Sequence, residues 1–189
     1  MSKKPLKSVA DLKGYKIRLG NAALNDIFSR MGATPVFLPG GEVYEAAQRG
    51  VIDGFEYVTP SVNWAMGFQE VTKYMYLSPT RAATDAQALF VNQKTWDKLP
   101  ADLKAIVELA AFQVADRYYQ KEVADDTEAL KKFAAYGTII EKVPADIEAA
   151  LAKAADAYYS EQAAKDPKYK EIYESFKRWK VICEQFDIK

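Results

Sequence analysis

The sequence predicts an α/β fold with a mixed or parallel sheet and long C-terminal helices. In the first sixty residues, short apolar segments alternate with helical segments in the order β-α-β-α-β, which is typical of a parallel sheet with helices packed on it. After Pro100, neither proline nor glycine occurs until Gly137, which predicts one unusually long helix. The apolar fraction of 49% beside a charged fraction of 28% is that of a globular chain.

The elements of the first half follow from apolar periodicity and from glycine stops. The spacing of Ser8 and Asp11 indicates a capping box, and Gly14 ends that turn. Apolar residues then alternate with Lys16 and Arg18, which predicts the first strand. The predicted strands are residues 15–19, 35–38 and 51–58, and the predicted helices are residues 25–31 and 42–48.

The second half is predicted to be mainly helical. A strand is expected at residues 88–91, and the long helix at residues 101–136 is expected to bend or break near residues 124–126. A strand at 138–143 and helices at 144–164 and 169–186 complete the chain. Between these halves, aromatic residues indicate either core packing or a platform for a ring-shaped ligand. They are Trp64, Phe68, Tyr74 and Tyr76.

Composition excludes several classes of function. The 26 basic and 26 acidic residues balance to a net charge of zero, which argues against nucleic-acid and membrane-surface binding. The absence of histidine removes the commonest general base and metal ligand. The single cysteine, Cys183, predicts a buried or half-buried structural thiol. The N-terminus has no apolar run that would indicate a signal peptide, and no stretch is apolar enough for a membrane span.

Arg18 is the most informative charged residue, because it lies within an apolar strand where a guanidinium needs a partner. One interpretation is a bidentate clamp for a ligand carboxylate. The alternative is a solvent-facing residue or an ion pair with Glu42 or Glu56. From the residues alone, both stay open.

Other candidate residues follow glycines or strand ends. Gly40 and Gly41 before Glu42 indicate either an anion-binding helix start or a plain tight turn. Glu56 and Tyr57 follow the third strand, where ligands bind in parallel sheets, although Tyr57 could simply pack. Asp53, Glu56 and Asp85 could also be imagined as paired catalytic carboxylates, but nothing in their spacing predicts two different pKa values.

Three segments carry a resemblance to a known family. They are DLKGYKIRL, MGATPVFLPGGEVYEAAQRGVIDGFEY and ALFVNQKTWDKLPADLKAIVELAA. Together they resemble the TRAP-transporter substrate-binding proteins of the DctP type, from Asp11 onward, and most closely the branch that binds α-keto acids such as pyruvate. This resemblance implies a periplasmic binding protein type II-like lobe, a periplasmic location, and no enzymatic activity.

The resemblance also implies roles for individual residues. In this family the arginine of the KIR strand binds the ligand carboxylate, so Arg18 is the expected anchor. Asn21 matches the loop that touches the ligand. Glu56 and Tyr57 match the acidic and aromatic pair at the cleft. Glu56 could instead support a ligand-binding residue without touching the ligand itself. Asp85 or Gln87 matches the crossover that returns to the cleft. No cofactor is expected, and sodium stays an open alternative, because a sodium ion bridges ligand and protein in some members of this branch. The family's sodium-ligating glutamine precedes the arginine strand, in a region that this chain does not contain.

The resemblance implies that the chain lacks the first lobe of the family. Residues 11–83 and 125–189 would form the second lobe, and residues 84–124 the crossover strand and helix that normally complete the first. Without the first lobe, the apolar faces of residues 84–124 would be exposed to water. Copies of the chain are therefore expected to associate through these residues. The resulting expectation is the partial solute-binding component of a TRAP transporter, which would bind a small carboxylate and contact membrane permease subunits. The alternatives are a lobe that has lost ligand binding and serves as a folding or oligomerisation unit, and a small enzyme acting on keto acids.

Overall fold

The computed structural model describes residues 1–79 and 88–187, and its strands form two parallel groups. Strand β1 (Lys16–Arg18) lies between β2 (Thr34–Val36) and β3 (Gly54–Phe55). Strand β4 (Tyr74–Leu77) pairs with β5 (Ile139–Lys142). The predicted parallel α/β arrangement is therefore confirmed.

The N-terminal segment (residues 1–3) joins these two groups of strands. Ser2 forms antiparallel bridges with both Gly54 and Tyr74, and its amide donates to the Tyr74 carbonyl at 2.8 Å. The buried Ser2 hydroxyl lies 2.5 Å from the Tyr15 hydroxyl, which donates to the Asp53 carbonyl at 3.0 Å. Because this segment pairs on both sides, it makes one continuous sheet from two short ones.

Helices cover the sheet and extend beyond it, and their bounds agree with the proline and glycine signals of the sequence. They are α1 (Ala22–Arg30), α2 (Val43–Gln48), α3 (Pro60–Ala65), α4 (Gln93–Lys98), α5 (Ala101–Tyr136), α6 (Ala145–Lys165) and α7 (Pro167–Gln185). The Asp166 side chain caps α7 by accepting from the Lys168 amide at 2.8 Å. Gly137 ends α5 in the left-handed region at φ 98°, where glycine is favoured.

The core has two parts, one on each face of the sheet. The first part is formed by alternate residues of β1, including Ile17, together with α1 and α6. The second part lies against α2 and is centred on the fully buried Phe55 and Phe68. Since successive side chains of a strand point to opposite faces, Arg18 lies on the side of the second part.

The long helix α5 is continuous over its 36 residues, without the break considered near residues 124–126. Its second half packs on α3, where the Trp64 ring meets Phe133 edge-on at 5.2 Å. Its first half exposes apolar side chains such as Ile106 and Phe112. The helix therefore reaches well past the sheet.

The strand predicted at residues 88–91 is wrong. These residues have no strand pairing and are exposed, with Phe90 91% exposed. An apolar segment becomes a strand only when a neighbouring strand accepts its backbone hydrogen bonds, and none lies beside it in the described part of the chain.

The other differences concern element ends and short elements. Helix α1 begins three residues before the predicted start, because the Asn21 side chain caps it by accepting from the Leu24 amide at 2.9 Å. Strand β3 has two residues, since the chain leaves the sheet after Phe55. Helices α3 and α4 and strand β4 were not predicted, because each is too short for a clear periodicity.

We predict that Gly54→Ala destabilises the fold, because an added Cβ would overlap the Tyr15 hydroxyl and approach the Met1 carbonyl to 2.8 Å. Overpacking of this kind typically costs about 1–3 kcal/mol. Denaturant unfolding measures the loss. Gly41→Ala is the matched control, since among the described residues no heavy atom beyond its chain neighbours lies within 4 Å of its added Cβ. Equal stabilities of the two variants would contradict the role assigned to this junction.

Candidate functional site

The candidate site lies at the carboxyl end of β1, where Arg18 is held by backbone groups. Its Nε donates to the Leu38 carbonyl at 3.2 Å, and its Nη1 donates to the Glu56 carbonyl at 2.9 Å. The guanidinium carbon lies 5.7 Å from the centre of the Tyr57 ring. These three contacts come from segments that follow β2 and β3, so the sheet register brings them together.

The contacts fix the plane of the Arg18 guanidinium and leave some of its N–H groups available to a further acceptor. An arginine side chain carries five N–H groups, and within the described residues two of them are used by carbonyls. The other three can still donate, and a carboxylate is the group that matches such a planar fork best. Arg18 thus contacts the backbone of Glu56, one of the two residues considered as its ion-pair partner.

Glu56 and Asn21 both support the loop between β1 and α1. A carboxylate oxygen of Glu56 accepts from the Gly20 amide at 3.0 Å, and the Asn21 side chain caps α1. A Cβ on Gly20 would lie 3.2 Å from that same oxygen, so the close approach favours glycine. The structure therefore brings Arg18, Glu56 and this loop into one region.

Tyr57 packs as well as facing Arg18. Its ring meets Phe68 edge-on at 4.9 Å, and its hydroxyl would lie 3.1 Å from a Cβ placed on Gly40. The segment Gly40–Glu42 is a short 3-10 turn that leads into α2. The tight-turn interpretation of the two glycines therefore fits, and Gly40 leaves room for the tyrosine.

A groove of about 740 Å³ runs along the face of the sheet that carries the first part of the core. Glu56 and Tyr57 line it together with many apolar side chains, whereas Arg18 does not. Its neighbours Ile17 and Leu19 do line the groove, because side chains alternate along the strand. The guanidinium therefore does not line the groove, although Tyr57 lies beside both.

The start of α3, three residues after Tyr57, is hydrogen-bonded to the long helix through the α3–α5 junction (Thr59, Ser61, Glu122 and Asp126). The Ser61 hydroxyl donates to the Glu122 carboxylate at 2.6 Å, and the Thr59 hydroxyl donates to the same oxygen. The Ser61 amide donates to Asp126 at 2.8 Å. Hydrogen bonds from Ser61 and Thr59 lower the pKa of the Glu122 carboxyl below its ordinary value.

Sequence reasoning missed this junction, since its partners lie some sixty positions apart. The only local signal was the Thr-Pro-Ser start of α3, in which hydroxyl residues flank the proline. The junction connects the start of α3 to the second half of α5.

The structure does not bring together the carboxylates considered as a catalytic pair. Asp53 forms an ion pair with Lys4 at 2.6 Å and accepts from the Lys16 amide at 3.0 Å. Although partial burial acts to raise its pKa, these hydrogen bonds lower it. Asp53 therefore has a structural role, while Asp85, like Gln87, lies outside the described residues.

The remaining candidates have structural surroundings. Phe68 packs edge-on against Phe55 at 4.5 Å, and Tyr74 stacks on Tyr76, which supports the core-packing interpretation of the aromatic cluster. Cys183 is half-buried on α7. Among residues 1–79 and 88–187, no group of three or more acidic, cysteine or histidine residues is placed to hold a metal ion. Within the same residues, no helix is long and apolar enough to cross a membrane.

Comparison with protein families gives a match over most of the chain. The sequence profile of the bacterial extracellular solute-binding proteins, family 7 (DctP), matches residues 1–166. The monocarboxylate 2-oxoacid-binding periplasmic protein of Nostoc sp. is 31% identical over 183 residues, which are 97% of this chain and 49% of that protein. The chain thus spans about half the length of this relative.

Solved structures give the same result for the fold. A TRAP transporter solute-binding protein from Bordetella bronchiseptica, with calcium and picolinate, superposes with a TM-score of 0.84 at 28% identity, covering 99% of this chain and 56% of that one. A TRAP periplasmic solute-binding protein from Pseudoalteromonas atlantica, with sodium and pyruvate, gives a TM-score of 0.81 at 31% identity, covering 98% and 56%. The expected periplasmic binding protein type II-like lobe is confirmed.

We predict that the α3–α5 junction makes stability depend on pH through Glu122. A carboxyl whose pKa is lowered by folding stabilises the native state above its unfolded pKa, and that stabilisation is lost as pH falls through the folded pKa. Between pH 7 and about pH 3, wild type should therefore lose more stability than Glu122→Gln, which has no proton to gain.

Urea unfolding at a series of pH values tests this expectation. Glu128→Gln is the control, since Glu128 lies on the same helix and pairs only with exposed Lys131 among the described residues. A Glu122→Gln profile that is parallel to wild type would contradict the assignment of the junction to that carboxylate.

Proposed function

Since this chain belongs to family 7 of the bacterial extracellular solute-binding proteins, we propose that it is a partial solute-binding component of a TRAP transporter. Its ligand would be a small organic carboxylate, such as an α-keto acid. The family relation supports a binding protein rather than an enzyme, because its similar proteins are named for what they bind. The 2-oxoacid named for the Nostoc relative and the pyruvate of the Pseudoalteromonas structure support the ligand class.

The single observation that carries this proposal is the fixed guanidinium of Arg18. Two backbone carbonyls and the Tyr57 ring hold it at the carboxyl end of a central parallel strand, which is the edge where such sheets bind ligands. A guanidinium that is already oriented loses little conformational freedom when it binds an anion. The positive charge of Arg18 would therefore already be oriented when a carboxylate binds.

The neighbouring residues would have supporting roles. Glu56 would hold the β1–α1 loop through the Gly20 amide, and Asn21 would fix the start of α1 beside the ligand. Tyr57 would limit the space above the guanidinium. Asp85 and Gln87 would contribute polar groups from the return crossover, as the resemblance implies.

The lobe division remains a proposal based on the resemblance. Residues 11–83 and 125–189 would form one ligand-binding lobe, and residues 84–124 would belong to the other. Closure of two lobes around the ligand would then present a surface to the membrane permease in the periplasm, driven by the higher affinity of the closed state for ligand.

Sodium or calcium occurs with the ligand in similar structures. Binding of the carboxylate by Arg18 requires no metal ion by itself, because the guanidinium supplies the positive charge.

A second candidate function has an observation of its own. The crossover surface (residues 88–124) exposes large apolar side chains, among them Leu89, Phe90 and Phe112. Exposed patches of this kind usually mark an interface. The alternative function is therefore that of an isolated lobe that has lost useful ligand binding. Such a lobe would associate with other copies through this surface and would expose the same apolar side chains.

We predict that pyruvate binds the chain and that Arg18→Ala reduces its affinity at least tenfold. The substitution removes the charge that pairs with the carboxylate, whereas Arg18→Lys keeps the charge but loses the planar fork and should lie between. Isothermal titration calorimetry measures the affinity if binding is tight. A cleft with only one lobe would bind in the millimolar range, and changes in amide chemical shifts in two-dimensional NMR spectra detect binding of that strength.

Arg49→Ala is the matched control, because Arg49 is exposed on α2 and pairs with Glu45 at 3.2 Å. Loss of binding in this variant as well would point to a general charge effect. An absence of any response from wild type to pyruvate and longer keto acids would favour the isolated lobe, and turnover of the ligand would favour an enzyme.

A further inference from the structure

Tyr57 lies in a short segment that is held on both sides. On the strand side, the Glu56 amide donates to the Arg18 carbonyl at 2.9 Å, and the Glu56 carbonyl accepts from the Arg18 guanidinium. On the helix side, the Val58 amide donates to the side chain of buried Asn63 at 3.3 Å. The position of the Tyr57 ring is therefore set by the sheet and by α3 together.

The link between Tyr57 and α3 is stiff. Thr59 has an extended backbone (φ −90°, ψ 165°) and is followed by Pro60, whose ring fixes its own φ and restricts the residue before it. The Thr59 carbonyl also accepts from the Asn63 amide at 2.9 Å. A stiff link transmits a shift of α3 to Tyr57 instead of absorbing it.

Helix α3 depends on α5 for its position. It has six residues, and an isolated helix of that length is not stable in water. At its start, the Ser61 amide donates to the Asp126 carboxylate at 2.8 Å. The hydroxyls of Thr59 and Ser61 both donate to one oxygen of Glu122. Glu122 thus holds the N-cap residue and the first turn of α3 at the same time.

The Tyr57 ring has few side chains to hold it if the segment moves. It is half-buried, with Phe68 against it at 4.9 Å and the Arg18 guanidinium carbon 5.7 Å from its centre. The attraction between a cation and a ring at a partly exposed site is weak. The backbone on both sides of Tyr57 therefore decides where the ring lies.

We propose that Glu122 is a positioning residue for the carboxylate site. By binding the two hydroxyls at the start of α3, it holds the segment that keeps Tyr57 against the Arg18 guanidinium. This role rests on the proposed function, in which Arg18 binds the ligand carboxylate. Glu122 acts through Tyr57 and does not touch the ligand.

The first measurement follows the ring in the absence of ligand. The Arg18 Nε–H donates to the Leu38 carbonyl beside the Tyr57 ring, so the ring current shifts its signal in two-dimensional ¹H–¹⁵N NMR spectra. Arg18→Lys removes this signal and thereby assigns it. Glu122→Ala should move the signal in the same direction as Tyr57→Leu does. Glu122→Gln keeps an acceptor oxygen and should move it less.

The second measurement is a double-mutant cycle on the affinity for pyruvate. Glu122→Ala should reduce the affinity by about threefold to tenfold, because a displaced ring no longer helps to orient the guanidinium. In a Tyr57→Leu background the same substitution should have no further effect, since the residue through which Glu122 acts is already absent.

Glu128→Ala is the matched control, because Glu128 is exposed on the same helix and pairs with Lys131 at 2.7 Å. This variant should keep both the Arg18 signal and the affinity of wild type. Ser61→Ala removes only one donor to Glu122 and serves as a milder variant, while circular dichroism verifies that each variant is folded.

An unchanged Arg18 signal in folded Glu122→Ala and Ser61→Ala chains would overturn the proposal. The same loss of affinity with and without the Tyr57 ring would overturn it as well, because Glu122 would then act by another route. A wild-type chain that gives no response to pyruvate would contradict the proposed function alone, since the Arg18 signal still reports the position of the ring.

Discussion

The placement of one guanidinium at the end of the central parallel strand β1 is the constraint on which the candidate site depends. Burial of an arginine among apolar residues is unfavourable unless its N–H groups find acceptors. Here the acceptors are the carbonyls of Leu38 and Glu56, which stand beside Arg18 because β2 and β3 flank β1 in register. The sheet topology therefore both satisfies and orients the charge. A site built on backbone carbonyls is rigid, since its geometry does not depend on the rotamers of other side chains.

The residues around the arginine make structural contacts of their own. Glu56 uses a carboxylate oxygen to hold the Gly20 amide, and Tyr57 shares its ring between Arg18 and Phe68. The α3–α5 junction then connects this region to the long helix. A displacement of α5 would therefore shift the start of α3, whose N-cap residue Thr59 lies two residues after Tyr57.

The sequence predicted much of the fold, because its signals are local. The long helix between Pro100 and Gly137 and the parallel order of the first three strands follow from periodicity and from proline and glycine positions. The strand at residues 88–91 was wrong for a physical reason: apolar pattern specifies a strand only where a neighbour pairs with it. The pairing of residues 1–3 with β3 and β4, and of Ser61 with Glu122, could not be predicted, since these contacts join distant segments. Arg18 was found from its unusual surroundings, whereas its carbonyl partners depend on the register of three strands.

The antiparallel direction of the N-terminal segment has a practical consequence. The amino group of Met1 donates to the Phe55 carbonyl at 2.9 Å, next to Glu56 and Tyr57. Any segment joined to Met1 on its N-terminal side would therefore leave the sheet beside these two residues. Its first residues would be neighbours of the region that holds the Arg18 side chain.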